Sequence, residues 1–183
     1  MSSVDSEKLL VAQLKNKRTQ ELAFRKLMSL YKERLYWHIR KIVYVHADAD
    51  DVLQNTFIKV FKNIHSFKED SKLYSWMYRI ATNESITFIN KKAAKHHVDL
   101  TELQLNTVNS LNTDLDYSGD EIQLLLQKAI ITLPHKQQLV FNMKYFDEMK
   151  YSDMSEILGT SVGALKASYF HAVKKIEEFL KTH

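Results

Sequence analysis

Along most of the chain, apolar residues recur three or four positions apart, which is the spacing of amphipathic helices. Between residues 21 and 45 the stripe is Ala23, Leu27, Leu30, Tyr31, Leu35, Ile39, Ile42 and Val43. It predicts one long helix, broken at most once. The stretch His46-Ala-Asp-Ala-Asp reads as a turn, with Asp48 or Asp50 as N-cap for the next helix. That second helix is expected from about Asp51 to Asn63, with Leu53, Phe57, Val60, Phe61 and Ile64 on one side. Phe57 and Phe61 read as ordinary core. Residues 65–72 are polar and read as a loop, and a third long helix is expected over about 73–92. Periodicity fades between Lys95 and Gly119, where Asn, Asp, Thr and Ser dominate. That stretch predicts a linker with at most a turn of transient helix. Stripes resume with Ile122, Leu125, Leu126, Ala129, Ile130 and Leu133, and Pro134 ends them. Helices over about 136–146, 151–158 and 162–180 complete the chain, the last two separated by Gly159-Thr160-Ser161.

Composition sharpens this into an all-α fold. Of 183 residues, 45% are hydrophobic, yet there are only 3 Gly and 1 Pro. Turn-rich β architectures need more of both. With no Cys, disulfides and thiolate metal sites are excluded. No apolar run approaches the ~20 residues that cross a bilayer, and the start is too polar for a signal peptide. The expectation is a soluble cytoplasmic protein with no membrane insertion. Charge then divides the chain. Residues 19–97 carry 14 Lys and Arg against 8 Asp and Glu; residues 98–120 carry 5 acids and no base; residues 121–183 carry 8 bases and 7 acids. A basic block, an acidic strip and a near-neutral block predict two small helical domains, over 20–95 and 121–183. A flexible acidic linker, 96–120, joins them, and residues 1–19 form a tail running into the first helix.

Three stretches carry candidate chemistry. From Ser152 to His171 the pattern is that of a helix-turn-helix: small Ser155 at the crossing, Gly159 where the turn needs positive φ, and Ser161 as cap. Val162 and Leu165 are expected to face the first helix, leaving Lys166, Ala167, Phe170 and His171 outward for a DNA groove. Spacing alone leaves a plain helical hairpin open as well. On the helix over 73–92, Trp76, Arg79, Asn83 and Thr87 share one side. An aromatic, a cation and an amide together suit single-stranded nucleic acid: stacking, phosphate contact and base-edge reading. Lys91, Lys92 and Lys95 extend the positive field. A partly buried Trp76 beside solvated neighbours is the plainer alternative. The helix over 51–63 has more apolar residues than one buried stripe needs, which suits a protein partner. No Gly-rich phosphate loop, His-Glu-x-x-His or nucleophile elbow is present, so an enzyme finds no support. The adjacent His96-His97 and the Asp-rich 48–51 run do not form a metal site; no metal or cofactor is expected.

Those residues resemble a known family. Asp48-Ala-Asp-Asp-Val-Leu-Gln-Asn-Thr-Phe, Leu73-Tyr-Ser-Trp-Met-Tyr-Arg-Ile-Ala-Thr-Asn and the stretch Tyr151 to Lys166 resemble three segments of extracytoplasmic-function sigma factors of the sigma-70 family. They stand in the family's order and spacing, and the likeness covers about residues 20–95 and 121–180. It implies a non-catalytic factor that brings RNA polymerase to promoters. Region 2 is then the first domain, docking on the polymerase β′ subunit through Asp51, Gln54, Asn55, Ile58 and Lys62. Opening and reading of the −10 element falls to Ser66, Phe67, Lys72, Trp76, Arg79, Asn83, Lys91 and Lys92. Region 4 is the second domain, binding the β subunit and reading the −35 element with Ser161, Lys166, Ala167, Phe170, His171 and Lys174. An anti-sigma partner is implied too. Asn55 stands where the family has an acidic residue, and Lys166-Ala167-Ser168 where it commonly has Lys-Ser-Arg. A DNA-binding regulator of another class, or an interaction module that keeps this fold as a decoy, remains open from sequence.

Overall fold

The computed structural model describes residues 3–113 and 121–182, and within them every regular element is helical. In chain order the helices are α1 (Ser3–Lys15), α2 (Gln20–Val43), α3 (His46–Asn63), α4 (Leu73–His96), α5 (Leu100–Thr113), α6 (Glu121–Ile131), α7 (His135–Tyr145), α8 (Tyr151–Leu158) and α9 (Val162–Thr182), with one 3-10 turn at Ile64–Ser66. Left-handed residues end three of them. Tyr44 (φ 64°) closes α2, His97 (φ 55°) closes α4 and Gly159 (φ 63°) closes α8, each donating its N–H back to the last turn. Pro134 stands at the N-cap of α7, where its missing N–H costs nothing.

Two expectations change here. No separate turn occupies 46–50: α3 begins at His46, with Asp48 in its first turn. An acidic residue there favours the positive helix N-terminus and extends the helix toward α2. Leu30, placed in the α2 stripe by spacing, is exposed, because the buried face follows Ala23, Leu27, Leu35, Ile39 and Ile42.

Helices α2, α3 and α4 pack on one another, and α1 lies against α2 and the 3-10 turn. Leu10, Val11 and Leu14 bury its inner face, so residues expected as a tail form a helix of the first domain. In the second half, α9 packs on α6, α7 and α8, around Ala129, Ile130, Leu133, Phe141, Ala172 and Ile176. The stretch expected as a linker is helical over α5, which packs on α4 and α6; residues 114–120 lie outside the described residues. Helix α5 is held by a buried amide pair. Gln104 Nε2 donates to Gln138 Oε1 (3.3 Å), while Gln138 Nε2 donates to the carbonyls of Ile131 and Leu133 (3.1 and 2.9 Å).

The halves share one core. Leu139, Val140, Met143, Met149, Met154, Ile157 and Leu165 belong to the same buried cluster as the α2–α4 interior, and α8 lies on α4. Polar contacts fix this closure. His38, 1% exposed on α2, bonds Thr82 through Nε2 (2.9 Å) and Asp147 through Nδ1 (3.2 Å). Lys41 also pairs with Asp147. Burial alone would push the Asp147 carboxyl up; the His38 and Lys41 contacts more than offset it and hold it below its ordinary value.

Candidate nucleic-acid and polymerase interfaces

The buried face of α4 mixes large side chains, Leu73, Met77, Tyr78 and Ile89, with small ones, Ala81, Ser85 and Ala93, and packs on α2 and α3. Its outer side carries Arg79, Asn83 and Thr87 exposed and Trp76 half-buried. The Trp76 ring lies 5.2 Å from that of Phe67. Phe67, only 4% exposed, points inward and forms the floor of the loop after the 3-10 turn; its ring is not open to a base. Ser66 and Lys72 are exposed at the two ends of that loop, with Ser66 Oγ donating to the Asn63 carbonyl (2.7 Å). Lys91 is exposed, whereas Lys92 pairs with Asp48 (2.5 Å). Two cations of this face are engaged by α8: Lys72 donates to Asp153 (2.6 Å) and Arg79 to the Glu156 carbonyl. The Asp153 contact raises the Lys72 pKa.

A second surface lies between α2 and α3. An apolar groove of about 650 Å³ is lined by Phe24, Met28, Leu53, Phe57, Ile58 and Phe61, with Lys32, Asp50, Gln54 and Lys62 at its edges. Ile58 is 44% and Phe61 40% exposed, so Phe61 is groove rather than core, while Phe57 is buried as expected. Gln54, Ile58 and Lys62 therefore stand together, one turn apart. Asn55 lines a different depression, with Thr87 and Lys91 of α4, and Asp51 is exposed beside it. The α2 wall was missed by sequence reasoning. Its signal was a double-width stripe, Ala23-Phe24 followed by Leu27-Met28.

The third surface is the α8–turn–α9 unit. Gly159 turns the chain at φ 63°, and Ser161 Oγ accepts the Ala164 N–H (3.3 Å), which caps α9. Leu165 is buried against α8, but Val162, expected beside it, is 37% exposed, because the turn sets the first residue of α9 outside the contact. Lys166, Ala167, Phe170, His171 and Lys174 are all exposed on α9. Lys174 lies 5.2 Å from the Phe170 ring and Lys166 5.9 Å from that of Tyr151. A helix with cations and an aromatic on its open side, reached through a Gly turn, is suited to a major groove.

A helical chain with a first domain of α1 to α4 and a helix-turn-helix second domain has the architecture of a two-domain transcription initiation factor. Residues 27–95 match Sigma-70 region 2, and residues 123–176 match Sigma-70, region 4. The chain belongs to the sigma-70 family, in its extracytoplasmic-function group, whose members direct RNA polymerase to promoters. It is 30% identical to the ECF RNA polymerase sigma factor SigW of Bacillus subtilis over 82% of this chain and 84% of that one. It is 24% identical to the ECF RNA polymerase sigma-E factor of Escherichia coli, over 97% and 95%. Among solved structures, CnrH in complex with the cytosolic domain of CnrY is similar in fold (TM-score 0.69, 20% identity, 97% of this chain and 99% of that one). So is the sigma factor RpoE of Bartonella quintana, solved with the anti-sigma factor NepR (TM-score 0.64, 21% identity, 86% and 96%). No helix among the described residues is long and apolar enough to cross a membrane.

Proposed function

We propose that the three surfaces divide the work of promoter recognition. The α2–α3 groove, with Gln54, Ile58 and Lys62 on its α3 side, takes the polymerase β′ subunit. Asp51 and Asn55 extend that contact along the α3 face toward α4. Trp76, Arg79, Asn83 and Lys91 on α4, with Ser66 and Lys72 of the adjoining loop, hold the unpaired −10 strand. Phe67 supports this from beneath and Lys92 through its pairing with Asp48. Ser161 sets the start of α9, whose Lys166, Ala167, Phe170, His171 and Lys174 meet the −35 duplex, while the β subunit covers the rest of the second domain. The chain performs no catalytic step, and it works in the cytoplasm, where polymerase and DNA are.

The observation that carries this reading is the presence of three unlike surfaces on one fold: an apolar groove, an aromatic–cation–amide face and a cationic helix. Each has the chemistry its partner requires. An anti-sigma protein is a further partner, and the groove is its natural seat, since apolar grooves between helices accept amphipathic helices. Run-off transcription with reconstituted core polymerase and a promoter library tests the whole assignment. Promoter-selective transcripts that require both domains are expected. Tight, sequence-specific duplex binding by the chain alone, without stimulation of polymerase, would replace this reading with that of a simple regulator.

A further inference from the structure

The segment 67–72 leads from the 3-10 turn into α4 and carries part of the proposed −10 surface, yet it has little internal bonding to hold it. Two of its supports come from α1. Lys15 Nζ donates to the Phe67 carbonyl (2.8 Å) and to Glu69 Oε1 (3.0 Å), and lies 5.9 Å from the Phe67 ring. Glu69 adopts φ 63°, a conformation that non-glycine residues occupy at a cost. At the far end of the segment, Glu7 Oε1 accepts the N–H of Leu73 (2.9 Å), the first residue of α4. Lys72, the N-cap residue, makes no side-chain cap. A carboxylate from another helix therefore does the capping, and its charge suits the positive end of α4. Glu7 and Lys15 are eight residues apart on one helix, about 12 Å by its rise. Leu10, Val11 and Leu14 lie between them and anchor α1 to the core.

We infer that α1 is a strut that fixes the −10 loop in its reading geometry, with Glu7 and Lys15 as positioning residues for promoter specificity. The two clamps act at opposite ends of the loop, beside the buried Phe67 ring and the Lys72–Asp153 pair, so loss of either loosens one end of it. Fixing the loop before DNA arrives removes the ordering cost from base capture and sharpens discrimination between the right and wrong base. This inference rests on assigning Trp76, Asn83 and the loop to the −10 strand.

The test uses full-length chain with core polymerase and a library randomised through the −10 element. Lys15→Met keeps the side-chain length and removes the donors; Glu7→Leu removes the cap. Each is expected to lower discrimination at the loop-read position by about tenfold, the size of one lost charge-assisted bond. Polymerase affinity and −35 dependence should stay at wild-type levels. Lys15→Arg and Glu7→Gln keep donor and acceptor and should restore discrimination. Glu69→Gln is exposed and leaves the core untouched, so a weaker loss is expected from it even if a harsher variant folds poorly. Asn83→Ala runs alongside. If Lys15→Met, Glu7→Leu and Glu69→Gln all keep wild-type preference while Asn83→Ala loses it, the strut is overturned and the −10 assignment stands. If none of the four shifts preference, the −10 assignment falls and the strut with it.

Discussion

Asn83 carries the sharpest residue-scale expectation. It is exposed, two helical turns from Trp76 on the same side of α4, and makes no contribution to the core. Asn83→Ala should relax preference at one −10 position by ~1–3 kcal/mol if it reads a base edge directly, on duplex and pre-melted templates alike. An unchanged library profile on both would make the residue a bystander. Gln138 is its opposite: a buried amide with no place in any interface. It satisfies the Ile131 and Leu133 carbonyls at the end of α6 and holds Gln104 of α5. Gln138→Ala leaves those carbonyls and the Gln104 amide unpaired, so unfolding free energy should drop by ~1–3 kcal/mol. Urea titration checks this, and a midpoint equal to wild type would show that water replaces the amide.

Among elements, α3 is the one whose function depends on a face rather than a residue. Gln54 and Ile58 are both open at the groove. Gln54→Arg with Ile58→Arg puts two strongly hydrated cations where an apolar partner must sit. Core-polymerase affinity should fall at least tenfold with helicity and melting unchanged; a retained affinity would move the docking site elsewhere. The long helices α2, α3 and α9 were legible because each has a repeating stripe and polar borders; α4 stood out by its length between the polar loop 65–72 and the change of composition after Lys95. Two helices were not legible. Helix α1 has only the short apolar set Leu9, Leu10, Val11 and Leu14 amid polar residues, which resembles a tail until α2 is there to receive it. Helix α5 alternates Leu with Asn, Gln and Thr, and one of its buried residues is Gln104, whose partner lies 34 positions away. Local periodicity carries no trace of such a pairing. For the proposed interfaces, motif spacing put the candidate residues on α3, α4 and α9, but Phe67 is buried and Lys72, Arg79 and Lys92 are each engaged within the chain. Burial of one aromatic and engagement of three cations are tertiary facts.

At the scale of the whole molecule the two domains are not free on a tether: α8 lies on α4 and Asp147 ties the α7–α8 loop to α2. No groove residue takes part in these ties, so the groove stays open while the domains are closed. The Asp147 pKa is depressed on folding, so its stabilising contribution is present above the ordinary carboxylate value and is lost as pH falls through the lower folded value. The Asp147 contribution is therefore present throughout the neutral range. Asp147→Ala should leave His38 and Lys41 without their shared carboxylate and lengthen the mean distance between probes on α3 and α9, measured by pulsed dipolar spectroscopy. An unaltered distance distribution would assign closure to the apolar contacts alone.

The clasp that α8 makes on Lys72 and Arg79 bears on supply and demand inside a cell. A promoter-reading protein in excess of its polymerase ordinarily becomes its own competitor, as idle copies occupy the sites that loaded ones need. Here Lys72 and Arg79, two cations of the proposed −10 face, are engaged by the chain's own second domain, so on that assignment an idle copy is expected to compete poorly for DNA. Transcript yield should then climb with added chain and level off, rather than pass through a maximum, in a run-off titration at fixed polymerase and promoter. In the Asp147→Ala chain, if that substitution opens the domains, the plateau should turn into a decline.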